Sequence, residues 1–203
     1  MKHVLVTGFE PFGDQAINPS EKLALALAQN LPQVTSLILP VEFELAFTEL
    51  EKFWDTGDFK AVILLGQAGG RSHICLERYA HNWMENKKPD HRNPAIPARS
   101  ISASAPAALM TPLAVEELRD TLNDIHQNPK QEQAPVSVTL SAGSYVCNYV
   151  YFRALEKIKN IPVLFVHLPY FPEQTSATAP APSMDFNSQL AILSSLIQQL
   201  AKK

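Results

Sequence analysis

Chemistry in this 203-residue chain concentrates in a few short segments. Gly143-Ser144-Tyr145-Val146-Cys147 follows the apolar, β-branched run from Val136 to Leu140, which puts a thiol in the first turn of the helix expected from about Val146 to Lys159. Unpaired amides and the helix dipole there favour a thiolate, the nucleophilic form of cysteine. The competing reading is a plain buried thiol, because free cysteine is among the most buried residue types. That reading suits Cys75, mid-strand with no glycine turn beside it. A cysteine nucleophile needs a base, and six histidines compete for the role. His167 stands apart because it ends the apolar strand from Val163 to Val166, at the sheet edge where the Cys147 helix is expected to begin one strand-helix-strand step earlier. A histidine merely satisfied at a strand end is the alternative. Glu77, in the apolar-flanked segment Ile74 to Ala80, is a candidate to orient an imidazole; otherwise it pairs with Arg78 or faces water.

Glycine is scarce and its placement therefore informative: 7 glycines stand against 16 prolines, where average shares are about 7% and 5%. Six of the seven lie in Gly8–Gly13, Gly66–Gly70 and Gly143, each directly after a strand-like run. Ligands of open α/β sheets bind outside the carboxyl ends of strands, so three such exits converging on one site is the functional reading and three ordinary tight turns the plain one. The first turn has the glycine spacing of a phosphate-binding loop. Asp14-Gln15 stands where lysine and Ser/Thr would hold phosphate and magnesium, which argues against a nucleotide site.

The elements that must position these groups alternate along the chain. Strands are expected at Val4–Thr7, Val34–Leu39, Ala61–Leu65, Ile74–Trp83, Val136–Leu140 and Val163–His167. Helices are expected from Pro19, at Phe43–Trp54, at Pro112–Ile125 with Leu113, Val115, Leu118, Leu122 and Ile125 as its apolar stripe, from Val146, and at Met184–Ala201. Glu85–Pro112 and Gln127–Pro135 read as a long loop and a polar connector. This alternation predicts a single α/β domain over residues 1–203, a three-layer α/β/α sandwich with a largely parallel, mixed sheet. A net charge of -3 gives no electrostatic footprint for nucleic acid or an anionic membrane, and no apolar run reaches the roughly 18 residues of a membrane span. Two cysteines are too few to staple such a domain. With no secretory leader at the start of the chain, a cytoplasmic location is expected.

Four motifs resemble those of the pyroglutamyl peptidase I (pyrrolidone carboxyl peptidase) family of cysteine peptidases. They are Thr7-Gly8-Phe9-Glu10-Pro11-Phe12-Gly13 with Asn18-Pro19-Ser20, then Gly66-Gln67-Ala68-Gly69-Gly70-Arg71 with Glu77-Arg78, then Ala142 to Asn148, and finally His167 to Gln174. They cover nearly the whole chain in the family's order. The resemblance implies Cys147 as nucleophile, His167 as general base and acid, and Glu77 as third member. It further implies peptides with an N-terminal pyroglutamyl residue as substrates, no metal or organic cofactor, and a homotetramer. Phe9 and Phe12 would enclose the lactam ring; Asn18 would shape their loop; Gln67, Tyr145 and Val146 would supply walls or lactam hydrogen bonds. One segment departs from the family: Glu85-Asn86-Lys87-Lys88-Pro89-Asp90 stands where relatives carry an Asp-Ala-Arg-Ile-Pro-Asp-like run. Lys87 keeps the charge of that arginine and loses its planar fork. A catalytically weak relative acting as a binding protein is therefore the alternative to an active peptidase.

Overall fold

In the computed structural model, residues 3–55, 57–87, 89, 93–127, 134–176 and 178–201 are described. Lys88, Asp90 and His91 of the divergent loop, and 128–133 of the polar connector, lie outside them. The elements run β1 (His3–Phe9), α1 (Pro19–Asn30), β2 (Val34–Leu39), α2 (Phe43–Asp55), β3 (Phe59–Gln67), β4 (Ile74–Glu77), β5 (Tyr79–His81), β6 (Met84–Asn86), β7 (Ile96–Arg99), β8 (Ala108–Met110), α3 (Val115–Ile125), β9 (Val136–Thr139), α4 (Val146–Lys157), β10 (Val163–Leu168) and α5 (Phe186–Ala201).

Six strands form the central sheet in the order β2-β1-β3-β10-β4-β9. The inner strands β1, β3 and β10 are almost wholly buried, as parallel strands covered on both faces must be. One face packs against α1, α3 and α5 through residues such as Leu23, Leu27, Leu118, Leu122, Leu193 and Ile197. The other packs against α2 and α4 through Phe43, Phe47, Leu50, Val150 and Phe152. The chain is thus a single-domain α/β/α sandwich. Asn18 caps α1, its Oδ1 accepting from the Ser20 N–H at 3.0 Å with Pro19 in the first helical turn. The α3 stripe is shorter than expected: Val115, Leu118 and Leu122 are buried while Ile125 is exposed.

The sheet is mixed in a specific way. β2, β1, β3 and β10 are parallel, but β4 pairs antiparallel with β10, and β9 is parallel to β4. The β9–α4–β10 unit is therefore not a parallel strand-helix-strand step, and the strand before Gly143 ends at the edge opposite the carboxyl ends of β1 and β3. Because β9 is only four residues long, residues 140–145 carry the chain back to the edge where β10 ends.

The strand expected at Ile74–Trp83 also divides. β4 stays in the sheet to Glu77; the Arg78 N–H then bonds the Thr139 carbonyl at 2.8 Å, its guanidinium pairs with Glu116, and β5 leaves to pair with β8. The loop expected over Glu85–Pro112 holds β7 and β8, with β6 at its start, paired locally as β6–β7 and β5–β8. Prolines in this stretch had hidden the short alternations.

Candidate active site

Cys147 is the second residue of α4. Its approach depends on Gly143, whose φ of +86° is one that side-chain-bearing residues rarely adopt. The Tyr145 side chain does not cap the helix, so the first-turn N–H groups keep their donor capacity beside the sulfur. Below the thiol lies Gly66 of β3. A Cβ there would stand 3.1 Å from Cys147 Sγ and 2.7 Å from the Phe165 ring, so only a glycine lets the sulfur rest this close to the sheet.

Gly66 pairs in register with His167 of β10, which sets the imidazole beside the sulfur's resting place. His167 Nδ1 lies 2.7 Å from Glu77 Oε1, and that oxygen also accepts from Arg71 Nη1 at 2.8 Å. Glu77 and His167 are both buried. Burial opposes ionisation of Glu77, but the hydrogen bond and charge of His167, the Thr139 hydroxyl and the Arg71 guanidinium outweigh it, and its pKa lies below the ordinary value. An ionised carboxylate can only accept, so Nδ1 carries the imidazole proton and Nε2 is left as a base.

Burial lowers the His167 pKa despite the opposing hydrogen bond and charge of Glu77. It pushes the Cys147 thiol up to about 12, aided by the negative charge of Glu77 and resisted by the local backbone hydrogen bond and Arg71. Burial therefore works against the thiolate that helix position alone favours.

A cavity of about 210 Å³ opens over this pair, lined by Phe9, Phe12, Asn18, Gln67, Tyr145, Val146, Cys147 and His167 together with Val41 and Ala142–Ser144. Asn18 Nδ2 donates to the Glu10 carbonyl at 3.0 Å and Ser20 Oγ accepts from the Phe9 N–H at 2.9 Å, which folds the Phe9–Phe12 turn over the cavity. Gln174, just beyond β10, ties the strand exits together: its Nε2 donates to Gln67 Oε1 at 2.8 Å and to Gln15 Oε1 at 3.1 Å.

Of the catalytic and substrate-binding residues expected from sequence, all line this cavity except Glu77, which stands behind His167. Sequence reasoning missed Val41 as a wall, Arg71 as the second partner of Glu77, and Gln174 as the tie. Arg71 and Gln174 lay inside the quoted motifs; Val41 carried no signal. Cys75 is fully buried. Of the other described histidines, His81 Nε2 meets the Leu140 carbonyl and His126 Nε2 the Ser195 hydroxyl, away from the thiol. Lys87 lines a separate hollow and pairs with Glu85 at 3.3 Å. Among the described residues no group of three His, Cys, Asp or Glu could hold a metal ion, and no helix is long and apolar enough to cross a membrane.

The model of the pyroglutamyl peptidase family matches residues 2–203. Pyrrolidone-carboxylate peptidase of Bacillus cytotoxicus is 35% identical, covering 98% of this chain and 92% of that protein. The crystal structure of Bacillus amyloliquefaciens pyroglutamyl peptidase I superposes with a TM-score of 0.90 at 30% identity, covering 100% and 98% of the two chains. The pyrrolidone carboxyl peptidase of Fervidobacterium islandicum AW-1 does so with 0.88 at 32% identity, covering 100% and 99%.

Proposed function

This chain belongs to the pyroglutamyl peptidase family and is a cysteine-type peptidase acting on N-terminal pyroglutamyl residues; within it we propose that Cys147 is the nucleophile, His167 the general base and acid, and Glu77 the residue that orients His167. The observation that carries this reading is the small, aromatic-walled cavity with the thiol and imidazole at its base. At about 210 Å³ it is below the roughly 300–1,000 Å³ of sites for drug-sized ligands, a fit for one five-membered ring.

A pyroglutamyl terminus carries no ammonium, and among the described residues no acidic side chain lines the cavity. Phe9 and Phe12 cover the ring faces. Gln67, its Oε1 already accepting from Gln174, offers its NH2 to the lactam carbonyl. Prolyl peptides lack that carbonyl, and leaving such a donor unpaired costs about 1–3 kcal/mol.

His167 Nε2 takes the Cys147 proton as the sulfur attacks the carbonyl carbon joining the lactam to the next residue. Glu77 stabilises the imidazolium, and first-turn amides of α4 receive the oxyanion. As the C–N bond breaks, the departing nitrogen takes the proton from His167, leaving a thioester. Water, deprotonated by His167, then attacks the thioester; free pyroglutamate departs and the sulfur regains its proton. We further read the protein as a cytoplasmic homotetramer; its two free cysteines suit a reducing compartment, and the assembly is supported by the family resemblance alone.

The test is hydrolysis of a pyroglutamyl arylamide combined with alkylation. Cys147→Ser and His167→Ala abolish turnover, and iodoacetamide labels Cys147 but not Cys75, more slowly when 2-pyrrolidone is present. Near wild-type rates in either variant, or labelling indifferent to the lactam, would reject the assignment.

A further inference from the structure

A cavity of about 210 Å³ holds the lactam and nothing more, so the peptide beyond the scissile bond needs a place of its own. Two hollows adjoin it. One, of about 750 Å³, meets it at Gly143 and Ser144. The other, of about 640 Å³, meets it at Phe12, Ser144 and Tyr145 and includes Asp14 and Lys87.

Sheet order distinguishes them. Along β1-β3-β10-β4-β9, the ring walls Phe9 and Phe12 belong to the β1 exit, Gln67 to β3 and the base His167 to β10. A substrate whose ring lies at the β1 side and whose carbonyl reaches Cys147 and His167 sends its leaving amine onward to the β4–β9 side. The larger hollow is built there, from Trp83 after β5 and from Ser141, Gly143 and Ser144 after β9. The smaller one lies behind the ring, on Phe12–Asp14.

We propose that the hollow between Trp83 and Ser141–Ser144 is the subsite for the peptide that follows the lactam, and that Trp83 selects an uncharged, preferably aromatic, residue directly after it. The proposal rests on the catalytic reading above. Trp83 is 45% exposed, an indole presented to solvent in the hollow that meets the catalytic cavity at Gly143 and Ser144. Ala103 and Ala107 also line the hollow, and among the described residues no Asp, Glu, Lys or Arg lines it, so a charged side chain placed there would lose water without gaining an ion partner.

The Trp83 turn is also fastened to the nucleophile's helix. Asn148, the fully buried neighbour of Cys147, donates through Nδ2 to the carbonyls of His81 and Trp83 at 2.8 Å each, and its Oδ1 accepts the His81 N–H at 2.8 Å. A side chain seated on Trp83 is thereby held at a set distance from Cys147.

Three substrates test this: pyroglutamyl amide, and pyroglutamyl-Phe-Ala and pyroglutamyl-Asp-Ala amides. The wild-type ratio of kcat/KM for the Phe peptide over the simple amide exceeds that for the Asp peptide. Trp83→Ala lowers the Phe ratio by about tenfold, the size of one lost aromatic contact. Ala103→Trp, which fills the hollow from an exposed position, lowers it too. Lys87→Ala, in the opposite hollow, leaves it alone. A ratio that responds to Lys87→Ala and not to Trp83→Ala overturns the proposal. So does an unchanged ratio in Ala103→Trp accompanied by dissociation in sedimentation, which would make this face a contact between copies. Wild-type protein that cleaves none of the three removes the catalytic reading and this one with it; cleavage with ratios indifferent to both trough variants removes this one alone.

Discussion

Glu77 Oε1 receives two hydrogen bonds, from His167 Nδ1 at 2.7 Å and from Arg71 Nη1 at 2.8 Å. The hydrogen bond and charge of His167, joined by the Thr139 hydroxyl and the guanidinium, keep the carboxylate ionised, and the carboxylate in turn selects the imidazole tautomer with a free Nε2. Arg71 thus acts on the base through Glu77, without a place among the residues that line the cavity.

Replacing Glu77 by Gln keeps the shape and removes the charge. Either amide group then competes for Nδ1, and the tautomer with Nε2 as acceptor is no longer enforced. The expected outcome is a fall in kcat of about 10³–10⁴-fold with KM nearly unchanged, because Glu77 stands behind His167 rather than in the cavity. Steady-state kinetics on a pyroglutamyl arylamide read both numbers; an equal rise in KM would mean the carboxylate shapes the ring site instead.

The acid limb of kcat/KM reports the base of the free enzyme. Burial holds His167 below its ordinary value of 6.5, with Glu77 pulling the other way. As pH falls, His167 takes up a proton and ceases to accept one from sulfur, so activity declines with a midpoint below 6.5. Removing the Glu77 charge takes away an upward influence, so the residual activity of Glu77→Gln should decline at still lower pH. A profile of log kcat/KM from pH 4 to 8 decides the matter, and a limb that moves upward in the variant contradicts it.

Gly66→Ala tests how closely the sulfur depends on the sheet. The new methyl would overlap the Phe165 ring at 2.7 Å and crowd Cys147 Sγ at 3.1 Å. Both must shift, at a stability cost of about 1–3 kcal/mol and a loss in kcat of about 10²-fold from misplacement of the nucleophile. Denaturant midpoints and kcat measured on the same preparation should fall together. An active, destabilised variant would show that the sulfur tolerates the displacement.

Local chemistry was legible in sequence wherever one residue type had one strong local reason. Cys147 follows a glycine turn into a helix, Asn18-Pro19 opens another, and His167 closes an apolar strand; all three occur as read. The break after Glu77 was not legible, because Ile74 to Trp83 alternates well enough for one strand, and the partners that divide it, Thr139 and Glu116, are distant in sequence. The reversed direction of β4 and β9 was hidden for a related reason: alternation of strands and helices records their order and carries no sign for direction.

From sequence alone came the residue types that could react, the layers of the fold and the likeness of four ordered motifs to one peptidase family, because helix entry, strand periodicity and turn chemistry are properties of neighbouring residues. Tertiary structure decided the rest. It joined Arg71 to Glu77 and Glu77 to His167, set Gly66 beneath the sulfur, and placed the Trp83 trough beyond the base. It also set burial against the thiolate, since the helix position that favours a thiolate is local whereas the burial that opposes it comes from strands brought together only by folding.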